Sequence, residues 1–229
     1  MSDKEQKYFN VPVQLLNGFM VDTGTTLDNI FDFAVYSQSQ KLNGTKIQKF
    51  DAALNWYHVT TGNKSRSIDN GERLVSKYTI NSPKVGINKD VFFDYYKNYK
   101  TDFEKACLLA YLALKSIVQN KPYACIGNAF WLARMDGKVN AVKDFSELSG
   151  EIRKFANEYQ TVKLKRELRD AWNLKFYSYH LRGCYYSFTL PLEDLILQAE
   201  KTRKKNKQIA ARKITEQARE AAIKKLNIK

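Results

Sequence analysis

The chain has 229 residues, enough for one large domain or two small ones, and its 44% hydrophobic and 27% charged residues fit a folded protein rather than a disordered one. No apolar run approaches the ~20 residues of a membrane-spanning helix, the start MSDKEQKYFN lacks the apolar centre of a signal peptide, and three scattered cysteines make no disulfide framework, so the chain reads as cytoplasmic with no membrane partner. Of the net charge of +14, residues 200–229 supply +8, from eleven Lys/Arg against three Glu, a basic tail suited to a polyanion.

In chain order, residues 9–16 alternate as a strand that Pro12 confines to an edge, and Asn17-Gly18 is expected to turn residues 19–21 back onto it as a second strand. Thr26 is placed to cap a helix with Leu27, Ile30, Phe31 and Ala34 inward, ended by Asn43-Gly44. The next helix covers 46–59, with Ile47, Phe50, Leu54 and Tyr57 inward. Residues 62–69 read as a polar connector before a shorter helix over 72–78. Ser82-Pro83 and Gly86 interrupt the chain again, and Asn88 caps a helix through DVFFDYYKN.

Thr101 and Glu104 have capping-box spacing and open an apolar helix, DFEKACLLAYLALKSIVQ, expected at the centre of the core and stopped by Lys121-Pro122. Asn128 caps NAFWLARMDG, with Gly137 just past its end, and 138–147 form an irregular link. Arg134 in that helix is expected to snorkel or pair with Asp136; its functional alternative is a phosphate contact. The organisation is then a mainly helical region of unknown role over 1–100, a second unit over 101–190 and a basic helical tail over 191–229.

Residues 149–190 carry the strongest functional signal. Two helical patterns, SGEIRKFANEYQ and TVKLKRELRDAW, precede a basic aromatic hairpin, NLKFYSYHLRGCYYSFTL. Leu164, Leu168, Ala171 and Trp172 share one helical face, and Lys165, Arg166 and Arg169 fall on the opposite arc. Phe176, Tyr177 and Tyr179, then Tyr185, Tyr186 and Phe188, supply strand formers around a turn at Leu181-Arg182-Gly183.

Helix, short turn, basic helix and hairpin resemble the winged helix-turn-helix of DNA-binding regulators, over residues 101–190. The resemblance implies an α+β, mainly helical fold with a winged-helix-like C-terminal half, a β-hairpin wing and a basic C-terminal helix. It implies duplex-DNA binding by Lys163, Lys165, Arg166 and Arg169 on the helix and by His180 and Arg182 on the wing, with Arg203, Lys204, Lys205 and Lys207 adding sequence-independent affinity. Transcriptional control and initiation of replication of a mobile element both use such modules. The first hundred residues are left the roles of binding a partner, forming a homodimer or sensing a ligand. Rival readings are an RNA- or protein-binding module that uses the aromatic hairpin as a platform, or an inhibitor encoded by a phage.

Catalytic signals are weak. Met20-Val21-Asp22-Thr23-Gly24 resembles the active-site signature of aspartic proteases, but a second such motif is absent, so Asp22 would have to act across a homodimer. His58 and His180 stand alone, no cysteine pair has zinc spacing, and no phosphate-cradling glycine motif is present, so neither catalysis nor a cofactor is expected.

Overall fold

Strand β1 (Tyr8–Pro12) turns Phe9 and Val11 into the core, and its ladder partner is a strand from far along the chain, β2 (Lys84–Asn88). In this computed structural model, which describes residues 7–78, 82–178 and 183–226 with side chains to 220, the two pair antiparallel with Phe9 opposite Ile87 and Asn10 opposite Gly86. The expected pairing of residues 19–21 with β1 does not form. Val21 N–H bonds back to Gly18 O at 2.9 Å in a turn, and Phe19 is buried. Gly86, read from sequence as a break, lies in β2 where a Cβ would crowd the Asn10 side chain at 3.0 Å.

Helix α1 (Thr23–Ser39) starts one turn earlier than expected. Its cap is Asp22, which accepts from Thr25 N–H, while Thr26 is buried inside the helix. Helix α2 (Lys46–Tyr57) opens with a Thr45/Gln48 capping box and closes at His58, whose φ of 53° is left-handed. Phe50, Leu54 and Tyr57 are inward, but Ile47 is 61% exposed, against the sequence reading. Helix α3 (Lys64–Tyr78) absorbs most of the expected connector. Asn63 accepts Arg66 N–H at its start, and Ser67, Ile68, Gly71 and Leu74 are its buried stripe. Asn88 caps α4 (Lys89–Lys97) as read.

The Thr101/Glu104 box opens α5 (Asp102–Val118), in which ten residues are buried, and α5 touches both halves of the molecule. A strand not anticipated, β3 (Ala124–Ile126), precedes α6 (Asn128–Met135), whose Trp131 is fully buried and donates its indole N–H to Ala110 O at 3.2 Å. A 3-10 turn over Phe145–Glu147 and one helical turn, α7 (Gly150–Arg153), lead into α8 (Glu158–Ala171). Then come β4 (Lys175–Ser178), β5 (Cys184–Ser187) and the long α9 (Leu192–Leu226).

The protein is a mainly helical α+β fold, with two small antiparallel sheets among the described residues, β1-β2 and β3-β5-β4. Leu164 and Leu168 of α8 have no exposure, so cutting either to Ala is expected to cost about 2–5 kcal/mol. Among the described residues no helix is long and apolar enough to cross a membrane.

Candidate nucleic-acid interface

Helix α8 starts at Glu158, three residues before the start expected from sequence, behind the cap Asn157, whose side chain accepts Gln160 N–H at 2.9 Å. The added residues put Tyr159, 73% exposed, on the outward face beside Val162. Thr161, Leu164 and Leu168 form the buried stripe, and Trp172 packs against Tyr111 of α5, the rings tilted by 43° with centroids 4.8 Å apart. Ala171, expected to share the buried face, is exposed.

The four α8 cations divide into different surroundings. Arg166 is exposed. Arg169 is exposed and pairs with its neighbour Asp170 at 2.7 Å, a solvent-facing pair of the kind that contributes little to stability. Lys163 sets its ammonium 4.3 Å from the Phe103 ring centroid. Lys165 is half-buried: its ammonium donates to Asn128 Oδ1 at 3.3 Å and lies 5.6 Å from the Trp131 ring, and burial holds its pKa below the usual lysine range. Lys165 therefore leaves the arc that the sequence assigned to it, because Trp131 and Tyr186 from other segments offer its stem an apolar bed and its head an aromatic face.

The chain passes from α8 into β4 with a short reversal at Asn173 (φ 55°), and Leu174 N–H returns to Leu168 O at 3.1 Å. The hairpin register sets Phe176 opposite Tyr186 and Tyr177 opposite Tyr185, while β3 lies on the other edge of β5. Gly183, at φ 91°, takes the positive angle expected of the turn. His180 and Arg182 lie outside the described residues.

No protein-family model matches the chain, and neither a curated protein nor a solved structure is detectably similar to it.

Helix α9 covers the sheet face opposite the core. Leu195 and Ala199 are buried, Tyr177 donates to Glu200 at 2.9 Å, and the Tyr123 and Thr202 hydroxyls are 3.1 Å apart. Arg203 pairs with Glu200 at 2.6 Å. From there to residue 220 every side chain is exposed, so Lys204, Lys205 and Lys207 project from a helix that has left the body of the protein.

The remaining sequence candidates have structural roles. Arg134 is only 6% exposed, donates to Val139 O at 3.0 Å and lies over the Phe130 ring; Asp136 instead accepts from Ser149 and pairs with Lys138. A phosphate contact by Arg134 is closed off by that burial. Cys107 is buried, which pushes its thiol pKa up to about 12 and keeps it protonated at neutral pH. Tyr159 and Val162 were absent from the sequence-derived set; the Asn157 cap is the signal that would have included Tyr159, and Val162 lies within the helix already read.

Proposed function

We propose that the protein is a cytoplasmic, non-catalytic duplex-DNA-binding protein of winged-helix type, serving transcriptional control or replication initiation of a mobile element. One observation carries the reading. A basic helix, α8, runs directly into the β4–β5 hairpin, and β5 also receives β3, the strand between α5 and α6, giving the order β3-β5-β4. That is the arrangement by which a winged helix-turn-helix offers one helix to a major groove and a hairpin to the flanking backbone, with Arg166 and Arg169 on the open face.

In this reading Tyr159 and Val162 lie beside the bases with Arg166, and Arg169 releases Asp170 for phosphate. Lys163 supplies a backbone contact from the same helix, and His180 and Arg182 belong to the wing. Lys204, Lys205 and Lys207 give affinity for any duplex, with Arg203 at their base. Lys165 is a packing residue and leaves the set of contacts. The rival reading, a platform for unpaired bases, is disfavoured by α9, because Tyr177 and Tyr123 are hydrogen-bonded beneath it.

Competition among duplex DNA, single-stranded DNA and RNA of matched length tests the reading. Duplex DNA is expected to displace a labelled duplex at the lowest concentration. Preference for single strands or RNA would overturn it.

A further inference from the structure

Helices α2 and α3 are joined by six residues, 58–63, in a turn that is tied at both ends. His58 closes α2 in the left-handed region, and Asn63 opens α3 by accepting Arg66 N–H at 3.1 Å. Two ion pairs of 2.7 Å, Lys64 with Asp51 and Lys46 with Glu72, bridge α2 to α3. On the other side α3 lies hard against α1: a Cβ on Gly71 would come within 2.5 Å of Tyr36 Cβ and 2.7 Å of Asp32 O. Asn70 donates to Asn29 Oδ1 at 2.9 Å and to Asp32 Oδ2 at 2.8 Å, which fixes the rotation of α3 about its axis. These contacts fasten α3 to α1 and α2 and leave one face of it unpacked.

That face is built of base-reading side-chain types. Arg66, Asp69, Arg73 and Lys77 recur at helical spacing and are all exposed. Arginine suits guanine, aspartate accepts from the cytosine amine, and lysine suits phosphate. Arg66 and Arg73 are two turns apart, about 10 Å along the axis, a span of roughly three base pairs. The face borders an open groove of about 800 Å³ whose wall includes Thr25 and Asn29 of α1. By sequence α3 carries four Lys/Arg against two acidic residues, a more positive balance than α8, with four against three. One of the two α3 acids, Glu72, is already neutralised by Lys46.

We propose that α2–α3 is a second helix-turn-helix and that α3 reads duplex DNA through Arg66, Asp69 and Arg73, with Asn70 as its positioning residue. The inference shares its ligand class with the reading of α8 but none of its residues. One chain then carries two reading helices, and its target holds two blocks of specified bases.

Selection from a random-core duplex library with the full chain tests this, followed by affinity measurement on the selected duplex. The parent protein is expected to enrich two blocks. Arg66→Ala/Arg73→Ala is expected to lose one block, keep the other and bind the selected duplex at least about tenfold more weakly. Arg66→Lys/Arg73→Lys keeps charge and removes the bidentate fork, so the same block should be lost while the salt dependence of binding is retained. Unchanged blocks and affinity in both α3 variants, with loss in Arg166→Ala/Arg169→Ala, would overturn the inference and leave the α8 reading intact. The reverse pattern would support α3 and remove α8. A parent that enriches no duplex overturns both.

Discussion

Lys165 and Arg166 are adjacent in α8 but occupy different surroundings: the Lys165 ammonium donates to Asn128 Oδ1 at 3.3 Å beside the Trp131 ring, whereas Arg166 extends into solvent. A charge held under aromatic rings contributes to packing, and a charge in solvent is available to phosphate. Lys165→Met, which keeps the stem and removes the buried charge, is expected to leave the salt dependence of duplex binding unchanged while the protein stays folded. Arg166→Ala should lower duplex affinity, with either a shallower dependence or reduced discrimination between sequences, and with little effect on stability. Salt titrations beside urea unfolding curves check both, and a shallower salt slope in Lys165→Met would show that its ammonium reaches the duplex after all.

The contact of Gly71 with Tyr36 gives a second prediction. Gly71→Ala forces backbone or ring displacement at the α1–α3 crossing, and overpacking of this kind costs about 1–3 kcal/mol. Gly62→Ala has nothing within 4 Å of the added methyl and is expected to change stability by less than about 0.5 kcal/mol. Urea midpoints of the two variants measure the difference. Equal midpoints would mean that the close approach of α3 to α1 is not maintained in solution.

Asp22 provides the pH dependence. Its carboxylate accepts Thr25 N–H at 3.0 Å, and that bond holds its pKa below the ordinary aspartate value. A lowered pKa in the folded state contributes stability that is present above the ordinary value and lost as pH falls through the lowered one. Asp22→Ala is therefore expected to be less stable than the parent at neutral pH, with the gap closing in acid, and Asp22→Asn should keep most of the cap. Thermal unfolding at both pH values reads this. Peptide cleavage by the parent that disappears in Asp22→Asn would instead make the residue catalytic.

The tail separates from the fold at a definable point. Ending the chain after Arg203 retains Leu195, Ala199, Glu200 and Thr202, the residues that fasten α9 to the sheet. Cooperative unfolding should survive, and affinity for all duplexes should fall alike. Ending it after Ala199 removes Glu200 and Thr202, the α9 hydrogen-bond partners of the Tyr177 and Tyr123 hydroxyls, and is expected to lower stability. Identical unfolding by the two truncations would show that these hydroxyl contacts contribute nothing.

Local signals were legible in the sequence wherever the structure answers them locally. Thr101 and Glu104 satisfy each other's donors within one turn, and Asn88 caps the helix that follows it, so α4 and α5 could be read without knowing the fold. Helix α3 was half hidden because its first four residues, Lys64 to Ser67, present no apolar side chain, and because Gly71, a helix-weakening residue, is there to admit Tyr36. Strands β2 and β3 pair with β1 and β5 across long stretches of chain, and no local pattern announces such a partner. For the α8 surface, spacing alone identified Arg166 and Arg169 as outward. The inward turn of Lys165 depends on Trp131 and Tyr186, which only the tertiary structure brings to it.

Whether α8 presents its solvent-facing arginines to duplex DNA is decided by the salt dependence of duplex affinity in the parent and in Arg166→Ala/Arg169→Ala, followed by fluorescence anisotropy. Each phosphate neutralised contributes a slope of about −0.9 in log affinity against log salt. A steep linear fall is expected for the parent, and for the folded variant a weaker affinity with either a shallower slope or reduced discrimination between sequences. Parent binding that is flat with salt, or a variant indistinguishable from the parent in affinity, slope and discrimination, would contradict such a role for α8.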